Sequence, residues 1–200
     1  MKKYNIFLIV CVLFMSSARI AVATPYTYKM GDGSWIDTSA TISALEMTAS
    51  IKSGVSGLIY NLDVGESKTF GFAIIGTKES WINEDDLLAS TVTAYVDFAN
   101  PDIMASVNGT SVGFKGCFEF EQGWTLVWSD PVYVDFANGG KFMIELSDAS
   151  YENGWWKGPN GDDCVTVTVT HLANPTTVPE PATLLLLGLG LVGLTRLKKF

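Results

Sequence analysis

Near its end the chain reads Val165-Thr166-Val167-Thr168-Val169-Thr170, six β-branched residues in strict alternation. Successive side chains of a strand point to opposite faces, so three valines line one face and three threonines the other. Residues 163–171 are therefore predicted to form a half-buried strand. The same period of two runs through residues 91–98, and residues 68–76 (Lys-Thr-Phe-Gly-Phe-Ala-Ile-Ile-Gly) are rich in β-formers. Asn108-Gly109, set between Ala105-Ser106-Val107 and Thr110-Ser111-Val112, predicts a type I′ hairpin turn, which needs φ > 0 at both central residues. Asn138-Gly139-Gly140 predicts a second hairpin between residues 132–137 and 141–146. Residues 41–52 do not settle the period and are read as a strand, while residues 80–88 are read as a short helical turn capped by Asn83. Nine or ten strands with short turns make an all-β chain, a β-sandwich or jelly roll.

One hexapeptide, Tyr-Val-Asp-Phe-Ala-Asn, occurs twice, at residues 95–100 and 133–138. Alternation turns Val96 and Phe98 inward and Tyr95 and Asp97 outward, and likewise in the second copy. Two equivalent sandwich strands explain it better than a duplicated binding motif, and two copies do not make a solenoid.

Charge divides the chain into parts. The net charge is −8, yet residues 1–23 hold Lys2, Lys3 and Arg19 and no acid, and residues 182–200 hold Arg196, Lys198 and Lys199 and no acid. Between them lie seven basic and 21 acidic side chains, a net of −14, without a single arginine. Such a surface repels phosphate backbones, which argues against nucleic acid as a partner, and it lacks the bidentate clamp that arginine provides. His171 is the only histidine, so multi-histidine metal sites are excluded and a Ser-His-Asp triad has one residue to draw on.

The N-terminal part has a basic start, an apolar run over residues 6–15 and then Ala21-Val22-Ala23. This is the layout of a secretory signal peptide, with cleavage by signal peptidase after Ala23 and Ser16-Ser17-Ala18 as a nearer alternative. A run of about 10 residues is too short to span ~30 Å of hydrocarbon. Residues 24–173 then form the exported domain and residues 174–181 a linker. At the other end Val178-Pro179-Glu180-Pro181 leads into a Leu/Gly-rich helix and a basic tail, residues 182–200. The apolar helix covers roughly 14–16 residues, or ~22–24 Å, short for a stable span. Arg196, Lys198 and Lys199 behind it place the tail in the cytoplasm.

The order of Val178-Pro179-Glu180-Pro181, a short Leu/Gly helix and a terminal Arg/Lys cluster resembles the PEP-CTERM sorting signal of Gram-negative bacteria. The resemblance covers residues 178–200. It implies recognition by an exosortase, a membrane-embedded cysteine transpeptidase, with anchoring in the inner membrane, cleavage near Pro179-Glu180-Pro181 and transfer to the cell surface or extracellular matrix. A plain single-pass anchor is the alternative. The same tail motif is seen on some proteins labelled ice-binding, so it specifies no activity. Residues 63–70, 83–87 and 138–142 loosely resemble exported domains found upstream of such tails, which supports the sandwich and adds no chemistry.

Within the exported domain, Cys117 and Cys164 remain once Cys11 leaves with the signal peptide, and a disulfide is expected between them. It would close a loop of about 46 residues and add roughly 3–4 kcal/mol; a reactive thiol is the rival. Glu84, Asp85 and Asp86, with Asn83, form one cluster of hard oxygen ligands for calcium, and Gly161-Asp162-Asp163 a second. Neither has the spacing of a calcium loop, and solvated acidic loops are the plainer reading. Trp155 and Trp156, in a Gly/Asn-rich stretch, include a candidate for stacking on a sugar ring of an extracellular polysaccharide. No local spacing supplies a nucleophile and an acid to His171. The chain is thus expected to be a non-enzymatic, exported surface or matrix protein, with a carbohydrate- or calcium-binding module and a secreted hydrolase as alternatives.

Overall fold

The computed structural model describes residues 24–116, 121–153 and 158–176. The signal-peptide and C-terminal-helix expectations lie outside them. Among the described residues no helix is long and apolar enough to cross a membrane.

Among the described residues twelve strands form two antiparallel sheets. They are β1 (Tyr26–Met30), β2 (Trp35–Asp37), β3 (Met47–Ile51), β4 (Ile59–Leu62), β5 (Ser67–Thr77), β6 (Ser90–Asn100), β7 (Asp102–Lys115), β8 (Gln122–Trp128), β9 (Val132–Phe136), β10 (Gly140–Leu146), β11 (Ala149–Asn153) and β12 (Asp163–Ala173). One sheet runs β11-β8-β7-β6-β1-β4, with β2 also on β6; the other runs β3-β5-β12-β10-β9. The described part of the chain is therefore all-β, and it changes sheet repeatedly. β1 and β2 act as one interrupted strand along β6: Met30 lies opposite Phe98 and Trp35 opposite Tyr95.

The alternating strand is where periodicity put it. In β12, Val165, Val167 and Val169 are fully buried. On the other face Thr168 pairs with Thr69 and Thr170 with Ser67, both at 2.8 Å. The inner faces of the two sheets close one core on an aromatic cluster. Tyr28 of β1 meets Phe98 of β6 at 6.1 Å and, from the other sheet, Phe142 of β10 at 5.6 Å and Phe136 of β9 at 6.4 Å between ring centroids. Edge-on pairs of this kind each contribute about 0.5–1.5 kcal/mol beyond the area they bury.

Three expectations are corrected. Asn108-Gly109 is no turn: β7 runs straight through it, Asn108 opposite Thr93 and Gly109 opposite Val92. The turn between β6 and β7 lies instead at the cis Asn100–Pro101 peptide. Gly109 answers to packing, because a Cβ there would stand 2.7 Å from the ring of Trp128 on β8. Residues 80–88 hold only a 3-10 turn, Asp85–Leu87, which Asn83 does not cap; Asp86 Oδ2 accepts from Asn83 N–H at 2.6 Å instead. Residues 41–52 divide between the end of a 3-10 turn, Ser39–Thr41, and β3. By contrast, the expected hairpin at Asn138-Gly139-Gly140 does join β9 to β10, with positive φ at Ala137 and Gly139.

Candidate functional site

The two copies of the hexapeptide fall in opposite sheets, β6 and β9, and both send valine and phenylalanine inward. Their aspartates differ. Asp97 stands at the gap between β1 and β2. Its backbone O accepts from Gly31 N–H at 2.9 Å, its Oδ2 accepts from Gly33 N–H at 2.9 Å, and its own N–H donates to Ser34 Oγ at 2.9 Å. A Cβ at Gly31 would overlap the Asp97 carboxylate, which is why the gap carries glycine. Asp135 is exposed and pairs with Lys141 at 3.2 Å. The copies are equivalent in the core and unlike at the surface.

His171 is fully buried. The Asn174 amide nitrogen donates to Thr24 O at 3.5 Å, so its oxygen faces the imidazole, 3.0 Å from Nε2. Nε2 therefore carries the proton, and Nδ1 accepts from the Tyr28 hydroxyl at 2.7 Å. Burial, with Tyr26 adding to it, pushes the Tyr28 pKa well above its ordinary value, so that hydroxyl stays a donor. Tyr26 stacks on the imidazole at 5.6 Å. Both ring nitrogens are thus engaged in holding β1, β12 and the linker together.

The linker continues this anchoring. Thr176 donates from its N–H (2.7 Å) and its Oγ1 (2.8 Å) to Asn138 O, on the β9–β10 hairpin. Through Asn174 and Thr176 the C-terminal exit is tied both to Thr24 and to that hairpin. The sorting-motif residues Val178, Pro179, Glu180 and Pro181, the basic residues Arg196, Lys198 and Lys199, and the cleavage residues Ala21 and Ala23 lie outside the described residues.

The acidic clusters do not converge. Asp86 is buried, whereas Glu84 and Asp85 point to solvent. In the second cluster, Asp163 Oδ2 accepts from Ser150 N–H at 2.9 Å and its Oδ1 from Cys164 N–H at 2.7 Å, linking β12 to β11 of the other sheet. Among the described residues no three His, Cys, Asp or Glu side chains are grouped to hold a metal ion. Glu79 has its carboxyl pushed up by burial first, then by the charge of Asp86.

Cys164 is a free, exposed cysteine. Cys117, the expected partner in a disulfide, lies outside the described residues; the Cys164 sulfur, on the outer face of β12, accepts from Lys52 Nζ at 3.4 Å. Trp155 and Trp156 also lie outside the described residues. One surface aromatic pair is not legible in the sequence: Trp35, 46% exposed, stacks on the half-buried Tyr95 with centroids 4.5 Å apart and planes within 8°. The outward side chain of Tyr95 was legible from alternation; its partner, in a three-residue strand 60 positions earlier, was not.

Residues 177–199 match the family model of the PEP-CTERM protein-sorting motif. No curated protein and no solved structure matches the chain. The match begins one residue after Thr176, so the sorting signal follows directly on the anchored exit and marks the chain for export and membrane-linked sorting by exosortase-type processing.

Proposed function

We propose that this chain is a non-catalytic surface or extracellular-matrix protein, exported through its N-terminal signal peptide and processed near Pro179-Glu180-Pro181. In this reading residues 182–200 hold it in the inner membrane until cleavage frees residues 24–181. The observation that carries the reading is the motif match at residues 177–199, set immediately behind a linker fastened to the domain by Asn174 and Thr176. Prolines on both sides of Glu180 disfavour helix and keep the segment open to an enzyme. The rest of the domain is consistent with passive cargo. Its single histidine has both nitrogens engaged, and two of its candidate metal-binding acids are hydrogen-bonded to backbone N–H groups.

Mass spectrometry of the surface-located protein tests this. A C-terminus near residues 179–181 in cells with the processing enzyme, and an intact Phe200 retained in the membrane without it, is the expected result. An intact Phe200 on surface-located protein would overturn the proposal.

A further inference from the structure

The outer face of the first sheet carries three rows of side chains across β2, β6, β7 and β8. The first is Trp35, Tyr95 and Ser106; the second Asp37, Thr93 and Asn108; the third Thr91, Thr110 and Val127. Rows two residues apart along a strand are about 6.6 Å apart, so the three cover ~13 Å. We infer that this face binds a neutral polysaccharide, with Trp35 as the stacking platform and the Asp37–Thr93–Asn108 row as its hydrogen-bonding edge.

Four observations carry the inference. Among the described residues Trp35 is the aromatic side chain most exposed on this face, and β2 pairs with β6 alone, so no described strand pairs along the side of the indole turned away from Tyr95. Aromatic faces are electron-rich and favour the C–H face of a pyranose ring. The parallel stack on Tyr95 holds the indole in place before any ligand arrives, which lowers the entropy lost on binding. The Asn108 oxygen accepts from Thr93 Oγ1 at 3.0 Å, which turns its amide nitrogen outward as a donor. Asp37 Oδ1 accepts from Ser39 N–H at 2.9 Å; this bond first, and the Ser39 hydroxyl after it, hold its carboxyl below the usual range, so it stays an ionised acceptor at this edge. Beside this edge Thr91, Asn108, Thr110, Val127 and Ser129 border a shallow depression of about 370 Å³, room for a further sugar unit. Charge selects within the class. The three rows hold one carboxylate and no cation, on a domain with a net charge of −14, so anionic glycans are repelled. The inference goes beyond the sorting reading and does not depend on it, since the face is built from residues 35–129.

Affinity electrophoresis tests it. Detergent-solubilised full-length protein is run through native gels containing a soluble β-1,4-glucan, a β-1,3-glucan, a galactomannan or the anionic polymer alginate. Retardation by at least one neutral polymer and not by alginate is expected. Trp35→Ala should weaken that retardation at least about tenfold, with Asn108→Ala weakening it less. Trp81→Ala, which removes an indole 55% exposed in the loop before the Asp85–Leu87 turn, should leave it unchanged. Melting temperature checks that each variant is folded, and Asn108→Ala carries the test if Trp35→Ala is not. No retardation by any neutral polymer, retardation by alginate alone, or loss in Trp81→Ala with Trp35→Ala unaffected would overturn the inference. None of these outcomes touches the C-terminal processing.

Discussion

At the scale of residues, Tyr28 and His171 show how one polar pair can be built into an aromatic core. Tyr28→Phe removes the hydroxyl and leaves His171 Nδ1 a buried acceptor without a donor; a loss of about 1–3 kcal/mol in denaturant unfolding is expected. Burial also pushes the Tyr60 pKa above its ordinary value. An unfolded chain ionises its tyrosines near pH 10, while the folded chain keeps Tyr28 and Tyr60 protonated, so the unfolded state binds fewer protons. Stability contributed by these groups is whole below pH 10 and is lost as pH rises above it, by up to about 1.4 kcal/mol per unit per tyrosine. Spectrophotometric titration should find two tyrosines that ionise only as the fold opens; ionisation of Tyr28 and Tyr60 together with the other tyrosines near pH 10 in the folded protein would contradict this.

At the scale of elements, glycine has two meanings in this fold and the sequence does not separate them. Gly109 sits in mid-strand under the Trp128 ring, with Leu126 Cδ1 at 3.1 Å from a hypothetical Cβ. Gly109→Ala should therefore destabilise by about 1–3 kcal/mol through overpacking. Gly139 serves a true turn, and Ala137, two residues before it, holds φ +44°, where an L residue with a Cβ is strained. Ala137→Gly should stabilise by up to about 1 kcal/mol. Thermal denaturation of the two variants is the check, with opposite shifts expected. The misplaced Asn108-Gly109 hairpin has the same origin. Turn chemistry is local, but whether a glycine bends the chain or admits an indole depends on β8, which arrives later in sequence and pairs Gly109 with Trp128.

At the scale of the whole molecule, the described domain fastens its own C-terminal exit. β12 ends at Ala173, and within three residues Asn174 and Thr176 tie the chain to Thr24 and Asn138. The all-β class was legible in the alternation of residues 165–170 and in the paired copies of Tyr-Val-Asp-Phe, because a period of two is a property of one strand. So was the sorting signal, whose order of prolines, apolar run and basic tail needs no fold to be read. The order β11-β8-β7-β6-β1-β4 was not legible, since sheet partners are chosen by the burial of whole faces. The same limit hid the Trp35–Tyr95 platform and the Tyr28–His171 hydrogen bond, each made by residues 60 or more positions apart. It also scattered acids that stand together in the chain, turning Asp86 inward while Glu84 and Asp85 face water. What the sequence determined alone was strand periodicity, charge segregation and address, all carried by neighbours in the chain. The tertiary structure decided which side chains meet, because only strand pairing and the packing of two sheets face to face bring distant strands within reach of a hydrogen bond or a ring contact.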